Sequence, residues 1–275
     1  MTVMAETGRF AGELRRWRVR RRFSQLDLAI RADTTQRHLS FLEQGRSRPG
    51  RAMVVRLAES LDLPLRERNE LLLAAGFAPV YAESSLDAPE LAPVREALAR
   101  ILDGHMPYPA VVVRPRGELV AANPAFAVLA EGAAPALLEP PVNVLRLALH
   151  PDGMARRVGN LAEWGRHITG ALRDRAGRAP SPGLAEFIEE LDGYLPDLEP
   201  SADHLGFAVP LRLRVPEGEL RLITTLTSFA TAVDVTLSEL RLEAFLPADE
   251  ATAAVLRRRG EGRAQDQATP FAVHP

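Results

Sequence analysis

Six arginines, Arg15, Arg16, Arg18, Arg20, Arg21 and Arg22, fall within eight positions of the chain. Guanidinium groups at that density suit phosphate, and such a run is an electrostatic footprint of nucleic-acid binding. Residues 1–80 hold 15 Arg against 9 Asp and Glu, net +6, leaving −8 for residues 81–275 of a chain whose total is −2. A basic head on an acidic body points to a nucleic-acid-binding part joined to a part with another task. Catalytic chemistry finds no comparable cluster. There is no Cys, which excludes disulfide frameworks, zinc fingers, iron–sulfur clusters and thiol catalysis. No Gly-rich phosphate loop and no Gly-x-Ser-x-Gly elbow occurs. The six His, at positions 38, 105, 150, 167, 204 and 274, show no His-x-x-x-His or His-Glu-x-x-His spacing. No carboxylate pair stands out for acid–base work. No catalytic residue, metal ligand or cofactor is assigned, and an enzyme is not expected.

The 275 residues, 46% hydrophobic and 25% charged, have a globular composition and room for one large domain or two smaller ones. No run of about 18 apolar residues and no signal-peptide pattern occurs, so a cytoplasmic protein without membrane insertion is expected. Apolar spacing predicts helices over Phe10–Arg22, 25–30, Thr35–Gln44, from Pro49, and Leu65–Ala75. Ser24 and Thr34 stand at N-cap positions, Ala32-Asp33 makes a tight turn, and Gly45 and Gly76 stop helices. Residues 77–92 read as a linker and 93–103 as a helix. Strands over 110–114 and 118–122 form a hairpin, and Asn123-Pro124 caps a helix to Ala130. Helices follow at about 143–149, 154–176 and 182–195, then strands at Val209–Val215, Glu219–Ser228 and Val235–Leu246. A polar stretch, 259–275, reads as a disordered tail. The expected architecture is a five-helix, mostly α head over 9–76. An α+β domain over 93–250 follows, with an antiparallel sheet of about five strands.

The stretch Ser24-Gln25-Leu26-Asp27-Leu28-Ala29, then Thr34-Thr35-Gln36-Arg37-His38-Leu39-Ser40-Phe41-Leu42-Glu43-Gln44-Gly45-Arg46-Ser47-Arg48-Pro49, resembles the Xre/Cro-type helix-turn-helix family over residues 9–76. The resemblance implies that the second motif helix lies in the major groove of a double-stranded DNA operator. Leu39 and Leu42 would face the core, leaving Thr35, Gln36, Arg37 and Ser40 outward. Gln pairs with adenine and Arg with guanine in two-point contacts, each worth about 1–3 kcal/mol of discrimination. Ser24, Thr34, Gln25 at a helix N-terminus, and Arg46 and Arg48 in the following loop complete the candidate DNA-binding set, the last three as phosphate contacts.

Over about 8–258 the order of segments is similar to that of the MmyB-type regulators, an Xre-like head followed by a PAS-like ligand-binding domain. The matching pieces are Pro109-Ala110-Val111-Val112-Val113, Leu119-Val120-Ala121-Ala122-Asn123-Pro124, Asn143-Val144-Leu145-Arg146-Leu147-Ala148-Leu149-His150-Pro151, the helix with Trp164, and Gly218-Glu219-Leu220-Arg221-Leu222. The resemblance implies a sensor of a small hydrophobic ligand, a fatty acid or related lipid. An acyl pocket needs apolar lining. Val112, Phe126, Leu129, Leu145, Leu149, Trp164, Ile168, Leu226, Phe229 and Phe245 can supply it, unless they fill the domain's own core. Asn143, Arg146 and His150, on one short segment, are the candidates for a carboxylate headgroup. A homodimer presenting two heads to two half-sites is expected. Two other roles for the second domain stay open: a protein-interaction and dimerisation module without a small ligand, or a cryptic lipid-modifying enzyme.

Overall fold

The computed structural model describes residues 2–178, 182–197, 208–229 and 232–266. They fall into two compact units. The first takes the described residues up to Ser84 and those of 232–238, and the second takes those of 85–229 and from Glu239 onward.

The first unit holds five helices, α1 (Thr2–Arg20), α2 (Gln25–Arg31), α3 (Gln36–Glu43), α4 (Arg51–Ser60) and α5 (Leu65–Ala74). Phe10, Leu14, Leu28, Leu39, Leu42, Leu57, Leu61, Leu71 and Leu72 form its core and are all but sealed from water. All five helices stop in the same way. The residue after the cap turns left-handed, and the next two N–H groups fold back onto the last carbonyls. Gly45 (φ +68°) and Gly76 (φ +82°) do this for α3 and α5. Arg22, Asp33 and Asp62, at φ between +49° and +57°, do it for α1, α2 and α4, against the strain an L residue carries there. At Asp33 the turn sends the Thr34 N–H to the Ala29 carbonyl at 2.9 Å. Thr34 therefore closes α2 rather than opening α3. The cap expected of it passes to Thr35, whose hydroxyl accepts the His38 N–H at 3.1 Å.

The second unit begins with α6 (Ala92–Gly104), then β1 (Ala110–Val113), β2 (Leu119–Ala122), α7 (Ala127–Ala130), α8 (Val144–Leu149), α9 (Leu161–Arg178) and α10 (Leu184–Asp192). After these come β3 (Leu211–Val215), β4 (Gly218–Ser228), the short α11 (Val235–Glu239), β5 (Arg241–Pro247) and α12 (Glu250–Asp266). The five strands make one antiparallel sheet in the order β2-β1-β5-β4-β3. The expected α+β class and strand number hold.

Four local expectations are corrected. Asn123 does not cap the helix after it. Its side chain, 2% exposed, accepts the Ala110 N–H at 3.0 Å and donates to the Leu102 and Tyr108 carbonyls at 3.1 and 2.8 Å, tying α6, β1 and β2 together. The helix expected over 154–176 is interrupted. Val158 bridges to Leu213, and Asn160 bonds Pro210 and Arg212, so a 3-10 turn over Met154–Arg157 precedes α9. The strand expected from Val235 starts only at Arg241, because Asp234 accepts the Leu237 N–H and opens α11. The tail expected from 259 is helical to Asp266, with Arg259 held by Glu217 and Glu131 at 2.6 Å each. The rest of that stretch, 267–275, lies outside the described residues.

Asn123→Ala strands the Ala110 N–H and the Tyr108 carbonyl in a dry junction, while the Leu102 carbonyl keeps the His105 N–H at 3.1 Å. Each group left unpaired costs about 1–3 kcal/mol. The unfolding free energy of the second unit should fall by at least one such increment, seen in urea as a lower midpoint with an unchanged slope, and an unchanged midpoint would refute the assignment.

Candidate DNA interface and ligand face

The recognition candidate α3 is amphipathic at 3.6-residue spacing. Leu39 and Leu42 are sealed in the core, and Gln36 and Arg37 are exposed. Ser40 is half-buried and its hydroxyl accepts from Gln44 at 2.9 Å. Arg37 lies over the Phe41 ring at 5.4 Å, which stiffens it without neutralising it. The angle of α3 is set by Glu43 at its C-terminal end, where the helix dipole disfavours an anion. The carboxylate side chain is 3% exposed and accepts Arg18 Nε at 2.6 Å, Arg18 Nη2 at 2.9 Å and Gln25 Nε2 at 2.8 Å. One anion thus joins α1, α2 and α3. The bidentate bond to Glu43 raises the Arg18 pKa above its ordinary value, against desolvation.

Gln25, expected at a phosphate, is thereby held against Glu43. Ser24 caps α2 in a capping box, its Oγ accepting the Asp27 N–H at 3.1 Å and Asp27 accepting the Ser24 N–H at 2.9 Å. Thr35 and the loop residues Arg46 and Arg48 are exposed. No carboxylate pairs with Arg37, Arg46 or Arg48 among the described residues, so these three cations face solvent uncompensated. The arginine cluster of α1 is largely structural. Arg16 pairs with Glu13, Arg18 with Glu43, and Arg20 lies over Trp17. Arg21 caps the Leu61 and Asp62 carbonyls at 2.9 and 2.7 Å. The role of Glu43 has a trace in the sequence: it is the single acid between Thr34 and Arg48.

In the second unit, alternation and register put Val111, Val113, Leu211, Leu213, Leu220, Leu222, Glu243 and Phe245 on one face of the sheet. Helices α7–α10 cover it. Phe126, Leu129, Leu149, Trp164 and Phe245 lie in that shared core, with Leu145 and Ile168 half-buried against it. Val112 points to the opposite face, one residue out of phase with Val111 and Val113, and is removed from the lining. Phe229 is half-buried just past β4. The three headgroup candidates already have partners. Asn143 accepts the Leu145 and Arg146 N–H groups and donates to Arg116 O at 2.8 Å. Arg146 pairs bidentately with Glu190 at 2.6 and 2.8 Å, which lowers the Glu190 pKa. His150 meets the Tyr194 ring edge-on at 4.9 Å and accepts the Asp152 N–H at 2.9 Å. A groove of about 340 Å³ beside α9 and α10 is lined by Arg166, Arg173, Asp192, Leu195, Pro196 and Asp197, a charged lining unsuited to an acyl chain.

One expected lining residue, Leu226, and one residue missed in the sequence, Glu243, mark the covered face of the sheet. Leu226 stands opposite Glu243, on the core side, yet is 66% exposed. Glu243 is a carboxyl on the central strand, and burial pushes it above the ordinary carboxylate range, with Arg175 pulling it partly back. Arg175, from α9, donates to the Pro115 carbonyl. Burial lowers its pKa, Arg241 adds to the effect, and Glu243 and Glu118 oppose it. Apolar wall, open end and the buried Glu243 carboxyl share this face of the sheet. The trace in the sequence is the charge at Glu243, two residues before Phe245 and so on its face.

Among described residues no group of three or more His, Asp or Glu could hold a metal ion. No described helix is long and apolar enough to cross a membrane. Residues 94–258 match the family of the MmyB-like transcription regulator ligand-binding domain, and residues 9–71 match a helix-turn-helix domain family. No curated protein matches significantly. Among solved structures, an RNA-binding light-oxygen-voltage receptor aligns at 16% identity and a TM-score of 0.29, over 94% of this chain and 64% of that one. The chain thus spans less than two thirds of that structure's length.

Arg37→Ala should cost discrimination, lowering affinity for a selected sequence by about 1–3 kcal/mol while leaving random DNA nearly unaffected. Arg46→Ala should weaken both equally and flatten the salt dependence by about 0.9 per lost phosphate contact. Equal losses on both DNAs from both variants would refute this division. Glu243→Gln should raise the melting temperature of the second unit at pH 7. A carboxyl with a raised folded pKa favours folding below the ordinary carboxylate range and loses that contribution as pH rises through the raised value. The advantage of the amide should therefore vanish toward pH 4, and a gap independent of pH would refute the linkage.

Proposed function

The chain belongs to the MmyB-like transcription regulators, and from that premise we propose that its head reads an operator through α3 while its second unit answers to an apolar carboxylate, a fatty acid being the fitting class. The observation that carries the first half is the cluster of exposed, unpaired cations on one side of an amphipathic helix. Arg37, Arg46 and Arg48 are exposed without a carboxylate pair around the outward face of α3, whose core side is sealed, unlike Arg18, which is bound to Glu43. Cations kept free beside exposed Gln36 are placed for phosphate and base edges.

The covered face of the sheet supports the second half. Phe126, Trp164 and Phe245 offer apolar wall, Leu226 an exposed apolar end, and Arg175 a cation drawn inward. A 14-carbon chain would gain about 0.8 kcal/mol per buried CH₂, roughly 10 kcal/mol gross before ordering costs. Arg146 is neutralised by Glu190, whereas Arg175 donates to the uncharged Pro115 carbonyl and has no carboxylate pair among the described residues, so Arg175 is the cation for the headgroup in this reading. One head of this size touches few base pairs. A homodimer spanning half-sites about 34 Å apart would supply affinity and symmetry. The ligand shifts operator binding only by its difference in affinity for two arrangements of the protein.

Native mass spectrometry of the full chain should show a dimer carrying a mass that solvent extraction releases as a fatty acid. Tetradecanoate added to stripped protein should raise its melting temperature, by an increment equivalent to about 2.7 kcal/mol at a hundredfold excess over Kd. An empty protein whose melting tetradecanoate leaves unmoved would overturn the lipid reading and leave the DNA-binding one standing.

A further inference from the structure

The stretch 77–92, which the sequence presents as a linker, is fastened in its first half. Asn69 on α5 is buried, and its Oδ1 accepts the Val80 and Tyr81 N–H groups at 3.1 Å each while its Nδ2 donates to Tyr81 O at 2.7 Å. Arg68 donates to the Tyr81 hydroxyl at 3.2 Å, and Arg66 pairs with Glu83 at 2.7 Å. The next residues meet a piece of chain 150 positions away. Ala82 and Asp234 form a parallel bridge, the Val235 N–H donates to Ala82 O at 2.8 Å, and the Ser84 N–H donates to Asp234 Oδ2 at 3.1 Å. The other carboxylate oxygen of Asp234 accepts the Leu237 N–H at 3.3 Å and opens α11. Asp234 is 6% exposed, so neither bond is shared with bulk water.

This crossover belongs to the compact unit of the head, although the strands on either side of it, β4 and β5, belong to the other unit. The chain passes between the units at Ser84, after Phe229 and at Ser238. β4 ends six residues before Asp234, and β5 begins seven after it. Those two strands carry Leu226, Glu243 and Phe245. We propose that Asp234 is the coupling residue of this regulator: the clasp of Asn69, residues 80–84 and Asp234 carries the state of strands β4 and β5 into the head. The proposal rests on the ligand-responsive reading above for its signal, but not for the clasp itself. A displacement of either strand acts on Asp234 through a few residues of chain, and Asn69 passes it to α5, which packs on α4 and α1. Coupled sites of this kind change each other's affinity by roughly 5–150-fold.

Asp234→Asn is the test, because it keeps the Oδ1 that opens α11 and sets an NH₂ against the Ser84 N–H, removing one bond with little change of shape. Ser84→Pro removes the same bond from the other side and should reproduce the result. Two measurements on the full chain follow. In hydrogen exchange, Leu222→Val in the core of the second unit should speed exchange in β3 and also in α5. In the Asp234→Asn background it should speed β3 alone. In operator titrations, the ratio of Kd with and without tetradecanoate should fall toward one in both clasp variants. If α5 responds to Leu222→Val equally with and without Asp234→Asn, the clasp carries nothing and the proposal is wrong. If the clasp variants uncouple α5 yet keep the full tetradecanoate ratio, Asp234 is not the carrier of the ligand signal and the proposal is equally wrong. If they uncouple α5 and the unsubstituted protein ignores tetradecanoate, the clasp stands and the ligand reading fails.

Discussion

A backbone amide withdrawn from water must find a partner, and at the irregular junctions of this protein the partner is a buried side chain. Asn123 serves the corner of α6, β1 and β2, and Asn143 the entry to α8. Asn160 serves the crossing of the α9 approach with β3. Asn69 and Asp234 do the same along residues 80–84. An amide side chain suits the task because it donates and accepts from one planar group, so it can satisfy two stretches of backbone at once. Helices and strands supply the length of the fold, but these five positions decide how they meet, and the core leucines pack only once they have met.

The arginines divide by the same logic. Those that bond carbonyls or buried carboxylates set geometry: Arg18 on Glu43, Arg21 on the end of α4, and Arg157 on the Val128 and Leu129 carbonyls. Exposed pairs elsewhere are worth about 0–1 kcal/mol and decide little. The Arg18–Glu43 pair is different. Breaking a buried pair costs about 3–5 kcal/mol, because the surviving charge stays buried. One arginine of the most basic stretch, Arg18, thus holds α3 from behind, and the exposed candidates Arg37, Arg46 and Arg48 lie fifteen or more residues further on. Density of charge marked the helix-turn-helix domain, while four of the six clustered arginines are engaged within it.

Much of this was legible. Five helices, their stops at Gly45 and Gly76, the turn at Asp33 and the hairpin from Ala110 follow from spacing and from the few residues that tolerate left-handed backbone. What stayed hidden depended on long-range partners. Thr34 and Thr35 look alike as caps until Ala29 claims the Thr34 N–H. Val235–Leu246 reads as one strand until Asp234 begins a helix inside it. The second half of α12, from 259, reads as tail because it is polar, and its anchors, Glu131 and Glu217, lie far away in sequence. In the candidate ligand face, residue type identified Phe126, Trp164 and Phe245. It misplaced Val112, because only register tells the two faces of β1 apart, and it passed over Glu243, a charge that no pattern of apolar residues would flag.

The sizes involved fit a regulator better than a static scaffold. A hydrogen bond contributes about 0.5–1.5 kcal/mol net to folding, and allosteric coupling between sites is typically 1–3 kcal/mol. The two bonds across the Ala82–Asp234 bridge, from the Val235 N–H to a carbonyl and from the Ser84 N–H to the Asp234 carboxylate, fall within that range together. A clasp much stronger could not be opened by the differential affinity of one small molecule, and one much weaker would transmit nothing. Asn123 holds its corner with three bonds in a nearly sealed site, as a permanent joint requires. The Ser84–Asp234 joint has one side-chain bond between segments 150 residues apart, at the place where the chain leaves one compact unit for the other. That difference in strength separates a joint that builds the fold from one that can report on it.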